Sequence, residues 1–236
     1  VTTAVGSASG SNPVSDDEHA AFLAELAAAS ERFEGADPGD VIAWASERFG
    51  DGVVLASSFQ DAVLLDFAAK RAPGIEVVFL DTGFHFPETL AYMHKLKEEM
   101  SLNLTILEPG IPLDVEPCGS AHCCELRKVA PLNGLLSTKA AWITGLKRVD
   151  TPERVGAPVV GYDDAKQIVK INPLAAWTDD EVDAYVDGNG LRRHPLNALG
   201  YISIGCAPTT RPVAPGEDPR AGRWSDSDKT ECGLHI

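Results

Sequence analysis

A series of short, unbroken apolar runs, separated by helical patterns, limits this chain more than any other feature. The runs are Val53–Ala56, 75–80, Asn103–Leu107, Ala141–Thr144 and Ile168–Ile171. A strand with one wet face alternates apolar and polar residues; these runs do not. They predict strands covered on both faces, as in a parallel sheet with helices on either side. Helices are predicted between them over 61–72 and 87–100, and a third follows the capping-box sequence Thr178-Asp179-Asp180-Glu181 through Tyr185. The expected class is α/β, a doubly wound and mostly parallel sheet.

Two further helices are predicted ahead of the first strand, and both are expected to lean on the sheet. Ser15 and Glu18 have capping-box spacing before Phe22, Leu23, Leu26 and Phe33, and Asp37-Pro38 opens a helix that Gly50 closes. Residues 1–14 carry neither the charged start nor the apolar stretch of a signal peptide and read as a disordered leader. We expect an α/β domain over 15–205 and a C-terminal segment over 206–236, where Gly, Pro and charge dominate.

Composition narrows the partners. With 35 acidic against 20 basic residues the net charge is −15, which argues against nucleic acid as a partner. No apolar run reaches the length of a bilayer span, so no membrane partner is expected. Five cysteines in a chain that is 44% hydrophobic do not read as a disulfide scaffold. They fit a reducing cytoplasm, with thiols reserved for metal or catalysis.

In open α/β sheets, ligands bind where strands end and helices begin. Ser57, Ser58 and Phe59 follow the first strand, and Asp81 and Gly83 follow the second. Hydroxyls and backbone N–H groups before a helix suit an anion, and the Asp81 carboxylate suits a ribose or base. The plainer reading of both is an ordinary strand-to-helix turn. After the fourth run come Lys147, Arg148 and Arg154, a cluster of cations in a chain short of them. They are expected to clamp a phosphate or sulfate, against the plainer reading of a solvated basic loop.

The cysteines point to a second chemistry. Cys123 and Cys124 are adjacent, and Cys206 lies at a Gly205-Cys206-Ala207-Pro208 bend. Adjacent thiols are poorly spaced for a zinc finger, and a disulfide between neighbours is strained. Soft thiolate ligands suit an iron–sulfur cluster, while the plainer reading is buried small hydrophobes.

Several motifs together resemble the assimilatory sulfonucleotide reductases, above all the adenylyl-sulfate (APS) reductase branch. They are Cys-Cys-Glu-Leu-Arg-Lys-Val at 123–129, Trp-Ile-Thr-Gly-Leu-Lys-Arg at 142–148, Gly-Tyr-Ile-Ser-Ile-Gly-Cys at 200–206 and Lys-Thr-Glu-Cys-Gly-Leu-His at 229–235. The resemblance runs from about Val53 to the end. It implies an adenine-nucleotide α-hydrolase-like Rossmann variant that reduces APS to sulfite and AMP with thioredoxin as electron donor. It implies Cys232 as the nucleophile, with His235 and Lys128 as further catalytic residues, and Arg220 and Arg223 among the substrate ligands. The vicinal pair and a Cys-x-x-Cys would hold a [4Fe-4S] cluster, with Lys128 linking cluster and substrate. Glu231, next to the nucleophile, is expected to raise the thiol pKa, against Lys229, His235 and the two arginines.

The chain departs from the pattern where the second Cys-x-x-Cys thiol belongs, because position 209 is threonine. Three readings follow. The cluster is three-cysteine, labile or reduced to three irons; or Cys118 or His122 substitutes; or the position is simply altered in an otherwise ordinary enzyme. A loop thiol placed like Cys118 reads first as free. The loop before Cys123 is also shorter than in the family, and Lys147 stands where family members carry arginine. Two other functions stay open: a phosphoadenylyl-sulfate (PAPS) reductase with a vestigial cluster, and a non-catalytic adenylate-binding or iron-sensing protein. An ATP pyrophosphatase would want a glycine-rich loop that Ser57-Ser58-Phe59-Gln60 lacks.

Overall fold

Two helices, α1 (Asp16–Phe33) and α2 (Pro38–Phe49), lead into the sheet. The computed structural model describes residues 16–225, 229, 231, 233 and 234. Asp37 caps α2 by accepting from Gly39 N, as the Asp-Pro signal predicts; the Ser15 cap expected for α1 lies outside the described residues.

The chain then alternates through β1 (Val53–Ala56), α3 (Val63–Arg71), β2 (Glu76–Leu80), α4 (Pro87–Glu99) and β3 (Asn103–Leu107). Next come α5 (Ala121–Cys124), a π-helical turn over Glu125–Val129, and α6 (Ala130–Leu136). After β4 (Ala141–Thr144) follow β5 (Val160–Asp163), β6 (Ile168–Ile171) and α7 (Asp179–Gly188). Thr178 and Glu181 cap α7 reciprocally, as predicted.

The strand order is β3-β2-β1-β4-β6-β5. All neighbours are parallel except the β5–β6 pair. The expected doubly wound sheet therefore forms, with an antiparallel edge that the apolar runs do not announce. Alternate residues of the parallel strands enter two separate cores. Val53, Leu55, Val77, Phe79, Ala141 and Ile143 join the larger one, with α1, α2, α3, α4 and α7. Val54, Val78, Trp142 and Ile168 face Leu132 and Leu136 of α6 in the smaller one, against which Leu234 packs. Covering both faces removes the need for polar residues, which is why the strands read as continuous runs. Among the described residues no helix is long and apolar enough to cross a membrane.

Candidate functional site

Strand order reverses between β1 and β4, since β1 leads to β2 on one side and β4 to β6 on the other. A cleft of about 280 Å³ opens at this switch point, over Ala56, Leu80 and Thr144 at the C-terminal ends of three parallel strands.

The loop after β1 presents Ser57 and Ser58 to the cleft. Phe59 does not line it. Its side chain is buried against Phe79, edge to face at 5.5 Å, and serves as the anchor of the loop. Phe59 has φ +55, and Ser57 Oγ accepts from its N–H at 3.1 Å. A non-glycine residue in this region is strained, so the core contact is what holds the turn that exposes the serines.

Asp81 and Gly83 also lie outside the cleft lining. Asp81 Oδ1 accepts from Gly83 N at 2.9 Å, so its carboxylate closes the turn. Buried Arg127 braces this turn by donating to Thr82 O at 3.2 Å, as well as to the carbonyls of Ile111 and Pro112. The turn faces the cysteines, with Thr82 Oγ1 3.5 Å from Cys206 Sγ.

The predicted cations divide. Lys147, Arg154, Arg220 and Arg223 line the cleft, and Arg148 does not. Arg148 instead gives both terminal nitrogens to Glu34, in the turn just after α1, at 2.6 and 2.8 Å, and Nε to Ala157 O. Two consecutive 3₁₀ turns, Arg148–Asp150 and Pro152–Arg154, point the two arginines different ways. Lys147 pairs with Asp179 and, at 3.5 Å, with Asp150. Burial pulls its pKa down, but these carboxylates outweigh burial and leave it raised. Arg223 lies over Gly205, where a Cβ would meet its guanidinium at 2.3 Å, and reaches Ser203 Oγ at 3.3 Å.

Arg154 forms a fork on Glu231, with Nε to Oε1 at 2.6 Å and Nη2 to Oε2 at 2.8 Å. Thr151 Oγ1 donates to the same carboxylate at 3.1 Å, and Arg220 stands 4.0 Å away. Glu231 is buried. Its charge, expected to act on the neighbouring thiol, is turned onto Arg154. Three residues on, Leu234 lines the cleft and packs on the smaller core. Cys232 and His235 lie outside the described residues.

Sequence reasoning missed His85, which also lines the cleft. Its Nε2 is 2.9 Å from Leu80 O, and since a carbonyl only accepts, Nε2 carries the proton. Nδ1 is then a buried acceptor with no partner among the described residues. Burial lowers the His85 pKa, so the ring stays neutral. The one signal available was its place in a strand-to-helix junction.

Behind the cleft lies a small cavity whose described lining includes Cys118, Cys123, Cys124, Cys206 and Thr209. Ser120 caps α5 by accepting from Cys123 N at 2.8 Å, which fixes both vicinal thiols in the first turn. Four residues on, Arg127 and Lys128 follow the same faces and enter the same lining. Lys128 and Trp224 line both cavities, so one wall serves cleft and thiols. His122, offered as a substitute ligand, is exposed and outside the lining. Cys118 is a free thiol, as its loop position suggested, but it is half-buried and lines the cavity together with Cys206. The neighbouring Cys118 thiol, with help from Lys128 against burial, lowers the Cys206 pKa, and Cys206 in turn raises that of Cys118.

Among the described residues, no three His, Cys, Asp or Glu side chains converge on a single metal ion. An iron–sulfur cluster asks for something else, sulfurs ringed around a polynuclear group. The cavity lining brings together four cysteines and two cations, with no carboxylate among its described residues. Soft donors in a cationic setting fit an anionic thiolate cluster.

Comparison with known proteins agrees with this geometry. Residues 52–212 match the family described as the phosphoadenosine phosphosulfate reductase domain. An adenosine 5′-phosphosulfate reductase of Mycolicibacterium smegmatis is 44% identical over 206 residues, 84% of this chain and 87% of that one. One from Streptomyces coelicolor is 44% identical over 224 residues, 89% of this chain and 95% of that one. Among solved structures, a phosphoadenylyl-sulfate (PAPS) reductase from Candida auris has a TM-score of 0.70 at 24% identity, covering 86% of this chain and 100% of that one. Candida glabrata FMN adenylyltransferase has a TM-score of 0.58 at 14% identity, covering 79% and 67%. These structural likenesses establish the fold, which is adenine-nucleotide α-hydrolase-like. With the fold, the family match and these relatives in agreement, the chain belongs to the phosphoadenosine phosphosulfate reductase family, in the branch of adenosine 5′-phosphosulfate reductases.

Proposed function

We propose that this chain reduces APS to sulfite and AMP in sulfate assimilation, taking its electrons from thioredoxin in the cytoplasm. The observation that carries this reading is the docking of the terminal segment in the cleft: Glu231 and Leu234, on either side of Cys232, both line it. Such docking suits a nucleophile delivered to a nucleotide at the strand ends. Ser57 and Ser58 would receive the nucleotide, and Lys147, Arg154, Arg220 and Arg223 its phosphosulfate.

Cys232, as thiolate, attacks the sulfate sulfur. The S–O bond to the phosphate breaks, and AMP leaves with the electron pair. The enzyme is left as an S-sulfocysteine. A thioredoxin thiolate then attacks the Cys232 sulfur and expels sulfite, and the second thioredoxin thiol resolves the mixed disulfide. His235 and Lys128 are assigned to support the thiolate and the departing charge. Cys123, Cys124 and Cys206 would hold a [4Fe-4S] cluster, which when bound supplies a fixed electrostatic field behind Lys128 rather than electrons.

The test is Cys232→Ser with ³⁵S-labelled APS. Sulfite formation is expected to fall by at least about 10³-fold, with loss of the labelled protein adduct. Unchanged turnover would sink the mechanism, and faster turnover of PAPS than of APS would overturn the substrate assignment.

A further inference from the structure

We propose that Cys118 supplies the fourth thiolate of the cluster, in place of the thiol that position 209 lacks. This rests on the reading of the chain as a cluster-bearing reductase and adds a ligand from a different segment.

Thr209 lines the cavity without offering it a donor. Its hydroxyl donates to Cys206 O at 3.3 Å, within its own 3₁₀ turn. Its methyl packs on Gly119, where an added Cβ would sit 2.6 Å from Thr209 Cγ2. Residue 209 is thus a piece of apolar wall, and a neutral hydroxyl is in any case a hard, weak ligand for iron in a sulfide cluster.

The thiol is present one residue before that glycine. Gly119 has φ +97, a conformation that glycine alone adopts without strain, and the turn it makes brings Cys118 into the lining. There Cys118 shares the cavity with Cys206, Cys123 and Cys124, beside the position that a Cys-x-x-Cys partner would have occupied. Two contacts hold the loop there. Ser120 Oγ donates to Glu116 Oε1 at 2.6 Å while accepting from Cys123 N, tying the loop to the vicinal pair. Lys229 Nζ spans Gly119 O at 3.2 Å and Cys124 Sγ at 3.1 Å. Positions 118, 119 and 209 are complementary: the thiol stands at 118, the Thr209 methyl packs on Gly119, and the missing Cβ at 119 makes room for both.

The experiment compares anaerobically purified wild type, Cys118→Ser, Thr209→Cys and the Cys118→Ser/Thr209→Cys double variant. The readouts are iron and acid-labile sulfide per chain, visible absorbance and electron paramagnetic resonance. Wild type is expected to carry about four irons per chain. Cys118→Ser should fall to a three-iron species or lose the cluster, and the double variant should recover it. Equal iron, sulfide and spectra in Cys118→Ser and wild type would overturn the proposal, as would iron-free wild type. Differential alkylation covers the case in which Cys118→Ser fails to fold. In wild type, Cys118 should resist alkylation until a chelator strips the iron; equal labelling before and after would overturn the ligand assignment. None of these readouts involves sulfite, so failure here is distinct from failure of the proposed reaction.

Discussion

The cleft and the cysteine cavity share a wall at Lys128 and Trp224, yet their electrostatic plans differ. In the cleft, two of the cations are matched by carboxylates: Lys147 by Asp150 and Asp179, Arg154 by Asp150 and Glu231. The described lining of the cysteine cavity holds Arg127 and Lys128 and no carboxylate. A site that takes up and releases an anion at every turnover benefits from cations compensated between turnovers, because an uncompensated buried charge is costly. A site that keeps its anionic group can leave that compensation to the group. Binding in the cleft is then an exchange, ligand anion for carboxylate, whereas binding in the cavity is an addition.

The strongest test of the exchange is at Arg154, where a single fork serves the terminal segment and, in our reading, the substrate. Arg154→Ala should lower kcat/KM for APS by about a hundredfold or more, the scale seen when a positioned anion donor is removed. It also strands buried Glu231, so thermal stability should drop. Arg154→Lys, which keeps the charge without the fork, should recover part of both losses. Glu231→Gln should act in the opposite sense on binding. With no competing carboxylate, AMP should bind several-fold more tightly by calorimetry. If Glu231→Gln weakened AMP binding, the carboxylate would be a partner of the ligand rather than its competitor, and the contrast between the two sites would collapse.

Much of the scaffold was legible because covering a sheet on both faces leaves an unmistakable trace in the sequence. β5 left none. Its Val160-Gly161-Tyr162-Asp163 has one fully buried residue, on an edge that does not need a run. The helix carrying the vicinal cysteines escaped for another reason: the π turn over Glu125–Val129 interrupts the 3.6-residue period that would reveal it. In the site, residue types were readable and directions were not. Arg148 and Arg154 look alike in sequence, and only the turns between them send one to Glu34, just past α1, and the other to the cleft. The Arg154–Glu231 pair joins residues 77 apart and has no local pattern. The same holds for Cys118 and Cys206, which line one cavity only once the loop before α5 and the arm after α7 have packed.

That arm is shared by both sites, and acid should loosen it. His194 is buried at its start, with Nδ1 accepting from Leu196 N at 3.2 Å. Nε2 therefore carries the proton and donates to Thr89 Oγ1 at 3.0 Å, tying the arm to α4. Burial lowers its pKa from 6.5 to about 4. The unfolded chain thus takes up the proton first as pH falls. Stability tied to neutral His194 is complete above pH 6.5 and is lost toward pH 4, to an extent on the order of 3 kcal/mol. Thermal melts from pH 7 to 4 should show this slope in wild type and a flatter one in His194→Asn. If the two slopes coincided, the acid sensitivity would belong to the carboxylates instead.

The smallest expected effect is at Arg148, and it tests the contrast from the other side. A cation counts as part of the exchanging set only if its carboxylate partner lies in the cleft. Glu34 lies in the turn after α1, and its pair with Arg148 is partly exposed to solvent at both ends. An ion pair of this kind contributes about 1 kcal/mol or less. Arg148→Ala should therefore lower the melting temperature slightly and leave kcat/KM for APS within about twofold. Lys147, its neighbour in sequence, pairs inside the cleft with Asp150 and Asp179, so Lys147→Ala should raise KM clearly more than Arg148→Ala does. Equal effects at the two positions would mean that adjacency in the chain matters more than which cavity a carboxylate partner faces.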